Sequence, residues 1–211
     1  MITPTFAEEI SLWLKGYQFV AGLDEVGRGA LAGPVVAAAV IFPCRDSLTQ
    51  GVPLRDGKGT PYDSLRDSKL LSPAQRERLS PLIKKAALAW AVAEVSVTII
   101  NKKGIARASE MAMMKALRHL TITPDFHLVD YFHLRDIPSH CQKGITKGDT
   151  LVASIAAASI IAKVYRDHLM VKYHKQYPDY GFDRHKGYGT EFHRSVLRKI
   201  GPSPFHRPAF L

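Results

Sequence analysis

Cysteine is nearly absent: the chain has two, Cys44 and Cys141, in 211 residues. Two cysteines make neither a disulfide framework nor a paired-thiol metal knuckle. Reduced thiols and a cytoplasmic setting are the expectation. No secretory leader is expected either. The opening MITPTFAEEISLWLKGYQ has no basic stretch and carries Glu8 and Glu9 early, so it does not read as a secretory signal. Long apolar runs are missing. The longest uncharged one, Gly29–Cys44, has 16 residues and is broken by Gly33 and Pro34, too short to span a bilayer. No internal repeat or low-complexity tract is present. GVPLRDGKG (51–59) is not a phosphate-binding loop. Five residues separate Gly51 from Gly57 where four are needed, Gly59 follows Lys58 in place of Ser/Thr, and no strand leads in.

Acids are scarce: 19 Asp and Glu stand against 29 Lys and Arg, a net charge of +10. Such a balance points to a polyanion as partner. The excess is uneven, because Lys163–Leu211 holds ten basic side chains against four acidic ones. By itself this also fits a solvated basic surface. The length and the 46% hydrophobic content suit one good core, alone or with a small appendage.

The pattern alternates strands with helices. YQFVAGLDEV (17–26) and PVVAAAVIFP (34–43) read as two strands of a hairpin, the second apolar on both faces and so buried. Residues 44–66 read as a long loop. Ser72 with Gln75 forms a capping box, with Pro73 at the first helical position. LAWAVAEVSV (88–97) reads as a third strand. Residues 104–120 have helical periodicity, with Met111, Met113 and Met114 as core filler. DFHLVD (125–130) is a short strand ending on an acid. CQKGITKG follows, and Asp149 then opens a long helix that is alanine-rich in its first half. A basic, aromatic remainder holds one short helix after Thr190.

Asp24 and Glu25 end the first strand, Asp130 ends the fourth, and Asp149 opens the long helix. Acids at the ends of neighbouring strands can converge. A hard divalent cation takes oxygen ligands, and two cations about 4 Å apart can clamp the attacking and leaving oxygens of a phosphodiester. Taken singly, Asp149 fits a helix N-cap equally well, and Asp130 a turn acid. Asp24 and Glu25 alternate across a regular strand, so both reach one point only if the strand ends or bulges at Gly27-Arg28-Gly29.

GLDEVGRGALAGPVVAAAVI (22–41) resembles the opening signature of bacterial ribonuclease HII. The resemblance continues through DSKLLS (67–72), LVD (128–130), KGD (147–149), AASIIAKVYRD (157–167), YGFDRHKGYGT (180–190) and HRPAF (206–210). It spans nearly the whole chain, with the motifs in order. It implies an α/β, RNase H-like fold: a mixed five-stranded sheet flanked by helices, with a small helical C-terminal segment. It divides the chain into a catalytic domain at 1–176 and a basic substrate-binding segment at 177–211. The implied activity is endonucleolytic hydrolysis of the RNA strand of RNA–DNA hybrids. Cleavage on the 5′ side of a single ribonucleotide embedded in duplex DNA is implied as well, leaving 3′-hydroxyl and 5′-phosphate ends.

The family's four catalytic, metal-holding carboxylates fall on Asp24, Glu25, Asp130 and Asp149. The implied cofactor is Mn²⁺ or Mg²⁺, two ions with substrate bound. Gly27, Arg28 and Gly29 fall on the loop that reads the ribose 2′-hydroxyl, and Tyr188 on its partner, which packs on the sugar. Lys69 and Lys186 are expected at phosphates, in a monomer without membrane attachment. His185, His193 and His206 have no zinc-like spacing and read as packing or phosphate neighbours. Tyr131, Leu70 and Pro208 stand where the family commonly has Gly, Lys and Arg; none is a catalytic acid. Ribonuclease HIII usually has lysine at the place of Arg28. The charge and Tyr188 would also suit a non-catalytic basic nucleic-acid-binding module, which leaves four acids facing a polyanion without a purpose.

Overall fold

The computed structural model describes residues 3–44, 65 and 68–211. The stretch at 51–59, and the 44–66 loop apart from Cys44 and Leu65, lie outside the described residues. Five strands make one mixed sheet in the order β3-β2-β1-β4-β5. These are β1 Val20–Val26, β2 Val35–Ile41, β3 Ala89–Val95, β4 Phe126–Asp130 and β5 Gln142–Ile145. β1–β2 and β2–β3 pair antiparallel, and β1–β4 and β4–β5 pair parallel. The helices are α1 Ala7–Leu14, α2 Pro73–Ala86, α3 Val97–Lys103, α4 Ile105–Arg118, α5 Gly148–Leu151, α6 Ala153–Gln176, α7 Phe182–His185 and α8 Glu191–Ile200.

β2 is VVAAAVI with every residue buried, as a strand covered on both faces requires. One core layer lies between the sheet and α6, where Val36, Ala38, Val40 and Leu128 meet Ile155, Ala158 and Ala162. The opposite layer sets Leu23, Ala37, Ala39 and Val129 against Ala112, Met113 and Ala116 of α4. Met113 is core, as expected, while Met111 and Met114 are partly buried and pack against this layer. Small side chains let α6 approach closely. A Cβ on Gly22 of β1 would lie 2.3 Å from the Ser154 carbonyl carbon.

The capping box at Ser72 and Gln75 forms, and Thr190 caps α8 through its hydroxyl. Three expectations change. Asp149 does not open the long helix: it sits in the one-turn α5, and the extended Val152 separates α5 from α6. CQKGITKG supplies the edge strand β5. β1 and β2 do form a hairpin, but their eight-residue connection is no tight turn. It is tied to the C-terminal segment by single bridges, Ala30 to Tyr188 and Ala32 to His206.

Candidate active site

Parallel pairing places the first two acids. Gly22 of β1 is in register with Leu128 of β4, and Asp24 and Asp130 each lie two residues further on. Period-two alternation then puts both on the α6 face of the sheet, at the same end. Asp149 arrives from the side on α5, held by the Gly148 N–H donating to Asp130 Oδ1 at 2.7 Å. One carboxylate oxygen from each of Asp24, Asp130 and Asp149 lies within 4.8 Å of the others.

Glu25 is not in that cluster. β1 stays regular through Val26, so Glu25 points to the opposite face, as alternation dictates. It lines the same cleft, of about 260 Å³, with one oxygen 3.4 Å from Arg28 Nη1. Its other oxygen is buried and has no hydrogen-bond partner among the described residues.

Electrostatics asks for a cation here. Burial pushes the Asp24 carboxyl well above its ordinary range, and its neighbours Glu25 and Asp130 push it further. Glu25 is raised to about 7, first by burial, with Arg28 opposing. Asp130 is raised by burial and then by Asp149. Asp24, Asp130 and Asp149 offer only oxygen donors, with Glu25 lining the same cleft, which suits a hard divalent cation rather than a tetrahedral zinc. Lys69 supplies a counter-charge, its Nζ 2.9 Å from Asp149 Oδ2.

The predicted recognition residues also gather here. The Ala30–Tyr188 bridge sets Tyr188 directly beside Gly27-Arg28-Gly29, and these four residues line the cleft. Gly27 has φ +96, and a Cβ there would meet Arg166 Nε at 2.2 Å, so its identity is set by packing beneath the loop. Gly29 is exposed, with nothing within 4 Å of an added Cβ. The Arg28 side chain is turned aside, against Glu25 and over the Phe132 ring. Lys186 is bonded through its ammonium to the Asp183 carbonyl and does not line the acid cleft. Tyr131, in the place of the usual glycine, has φ 60, a left-handed conformation that favours Gly.

Sequence reasoning missed Ser159 and Lys163. Ser159 holds the Asp24 carboxyl down against the effect of burial, and Lys163 lies over the Tyr188 ring at 5.5 Å. Both line the cleft from α6, in the AASIIAKVYRD motif, four residues apart and so on one helical face, a signal that was there to read. Arg166 and Arg207, described below, were missed as well.

Comparison with known proteins agrees with this geometry. The family model "Ribonuclease HII" matches residues 21–211. Ribonuclease HII of Dehalococcoides mccartyi is 49% identical over 209 residues, covering 99% of this chain and 93% of its own. The Desulfitobacterium hafniense protein of the same name is 46% identical over 203 residues, covering 96% of this chain and 72% of its own. Among solved structures, the PCNA:RNase HII complex from Archaeoglobus fulgidus matches with a TM-score of 0.70 and 26% identity, over 90% of this chain and 93% of that one. The chain belongs to the ribonuclease HII family, and is a metal-dependent endoribonuclease of RNA–DNA hybrids.

Proposed function

We propose that Asp24, Glu25, Asp130 and Asp149 hold Mn²⁺ or Mg²⁺, two ions with substrate bound. The chain then cuts hybrids, and also duplex DNA on the 5′ side of a single embedded ribonucleotide, leaving 3′-hydroxyl and 5′-phosphate ends. The observation that carries this reading is the placement of three acids within 4.8 Å beside the Ala30–Tyr188 bridge. Reaction chemistry and sugar recognition then share one cleft.

Bound there, divalent cations would supply Lewis acidity, lowering the pKa of an attacking water and offsetting charge on the leaving oxygen. The chain's own residues do the rest. Asp24 and Asp130 fix the ligand oxygens on rigid strand ends. The Gly27–Gly29 backbone lies against the ribose, and Tyr188 packs on the sugar at the junction. Lys69 and Lys186 meet phosphates, positioning the duplex without reading sequence. The 2′-hydroxyl is read and is not the nucleophile.

Residues 1–176 are the catalytic domain and 177–211 the basic substrate-binding segment. The active unit is a monomer. Unpaired Cys44 and Cys141 suit a cytoplasmic setting. Among the described residues no helix is long and apolar enough to cross a membrane.

The test is cleavage of a DNA duplex carrying one ribonucleotide, with all-DNA and full-hybrid controls, each with and without Mn²⁺ or Mg²⁺. A metal-dependent cut 5′ to the ribonucleotide is expected. Asp24→Asn should lower the cleavage rate about a thousandfold or more while keeping substrate binding. Cleavage that survives this change overturns the carboxylate assignment, and cutting of the hybrid alone overturns the junction reading.

A further inference from the structure

Arg166 and Arg207 are each 0% exposed, and each donates to main-chain carbonyls rather than to a carboxylate. Burying a guanidinium without an acid costs several kcal/mol unless its donors are met. These are met by one loop. Arg207 Nη1 donates to the carbonyls of Gly27 at 2.8 Å, Arg28 at 3.0 Å and Ala30 at 2.9 Å. Its Nε and Nη2 both reach the Gly33 carbonyl. The Arg207 main-chain N–H takes the Leu31 carbonyl. Arg166 takes Ala32 and Pro34, together with Lys186 beside Tyr188. From Gly27 to Pro34, every carbonyl but that of Gly29 has an arginine donor among the described residues.

The consequence follows from peptide geometry. In a trans peptide the C=O and the next N–H point in opposite directions, and the chain has no cis bond among the described residues. A Gly27 carbonyl drawn inward turns the Arg28 N–H outward, and an Arg28 carbonyl drawn inward does the same for the Gly29 N–H. Among the described residues no acceptor meets either N–H, whereas those of Ala30, Leu31, Ala32 and Gly33 are all bonded. Two successive free amides beside Tyr188 form a concave donor pair for an oxygen. Burial lowers the Arg207 pKa to about 9, so the guanidinium stays charged at neutral pH beneath them.

We propose that Arg207 is a positioning residue for ribonucleotide recognition: by gripping the Gly27 and Arg28 carbonyls from below, it presents the Arg28 and Gly29 amides to the sugar's 2′ oxygen. This rests on the reading of the Gly27–Gly29 loop given above. Neither the charge nor the bulk of Arg207 touches substrate. Its planar fork of donors sets the loop, a task that the single ammonium of lysine cannot reproduce.

The test compares binding of two duplexes by fluorescence anisotropy in Ca²⁺, one all-DNA and one with a single ribonucleotide, after checking that neither is cut. Wild type should prefer the ribonucleotide duplex. Arg207→Lys should bind all-DNA duplex like wild type but lose about tenfold of that preference, the worth of one or two hydrogen bonds. An unchanged preference overturns the proposal, and so does an equal loss on both duplexes, which marks a merely structural role. Should circular dichroism find Arg207→Lys unfolded, Gly29→Pro decides, because it deletes one amide at an exposed position. Retained preference in that variant overturns the proposal. A wild-type protein without any preference brings down the underlying reading instead, and is told apart because it needs no variant.

Discussion

Lys69 Nζ lies 2.9 Å from Asp149 Oδ2, so a lysine expected at a substrate phosphate rests on a carboxylate expected to hold metal. The Lys69 side chain is 76% exposed, which makes the pair weak and easily exchanged. On the proposed reading Lys69 competes with a cation for Asp149 and meets phosphate once that cation is bound. Lys69→Met should tighten Mn²⁺ binding about two- to fivefold, the range for an exposed ion pair. The same change should raise KM for nucleic acid. Calorimetric titration with Mn²⁺ alone checks the first effect and steady-state kinetics the second. Weaker metal binding in the variant would mean that Lys69 organises the site.

The proposed site links metal binding to pH through Glu25. Its carboxyl ionises near 4.5 in the unfolded chain and at about 7 when folded. Between those values the folded state binds more protons, so stability falls as pH rises. A cation replaces the lost proton. The rise in Tm on adding Mn²⁺ should therefore be larger at pH 8 than at pH 5. Glu25→Gln, which cannot ionise, should narrow that gap. Thermal melts at both pH values, with and without Mn²⁺, decide it. An equal rise at both pH values would remove Glu25 from the metal's surroundings.

At Gly22 the sheet leaves no room for a side chain beneath the long helix. A methyl there meets the Ser154 main chain at 2.3 Å and the Ile155 nitrogen at 2.5 Å, and backbone cannot swing aside as a side chain can. Gly22→Ala should cost about 3 kcal/mol, at the upper end for overpacking. It should also reduce activity in the protein that still folds, because separating β1 from α6 moves Asp24 relative to Ser159. Urea unfolding measures the first and hybrid cleavage the second. A cost below about 1 kcal/mol would mean that the helix shifts freely.

Much of this was legible in sequence because it depends on local pattern. Ser72 and Gln75 announce their helix, and the apolar run of β2 announces a strand covered on both faces. Acids at the ends of β1 and β4 announce a shared site. Asp149 was placed correctly beside them but in the wrong element, since nothing in GDTLVAS marks the extended Val152 that interrupts the helix. The edge strand β5 was missed because QKGI carries no alternation. Glu9 was missed altogether: from α1 it accepts the Ser154 N–H at the start of α6, a cap supplied from 145 residues away. Capping motifs are read within a few residues and cannot reveal such a partner. Arg166 and Arg207 escaped for the same reason, because a buried arginine looks like surface charge until the carbonyls around it are known.

The histidines of the C-terminal segment form an ordered chain rather than scattered packing. The Ser203 N–H donates to His206 Nδ1 at 2.9 Å, which leaves the His206 proton on Nε2. That proton faces His193 Nε2 at 2.9 Å, and His193 Nδ1 donates to the Tyr188 carbonyl at 2.9 Å. A second proton on either ring sets N–H against N–H. Burial, then His193, lowers the His206 pKa from 6.5 to about 4. Between those values the unfolded chain binds more protons, so stability is lost as pH falls. Glu25 acts in the opposite sense, and only a comparison with a variant isolates the histidine. His206→Gln keeps a side-chain N–H donor toward His193 but cannot ionise. Its Tm should therefore fall less than that of wild type between pH 7 and pH 5. Recognition should follow, because the pair anchors Tyr188: wild type should lose cleavage at the lone ribonucleotide on acidification more steeply than the variant. Parallel acid profiles for the two proteins would detach Tyr188 from the histidine pair.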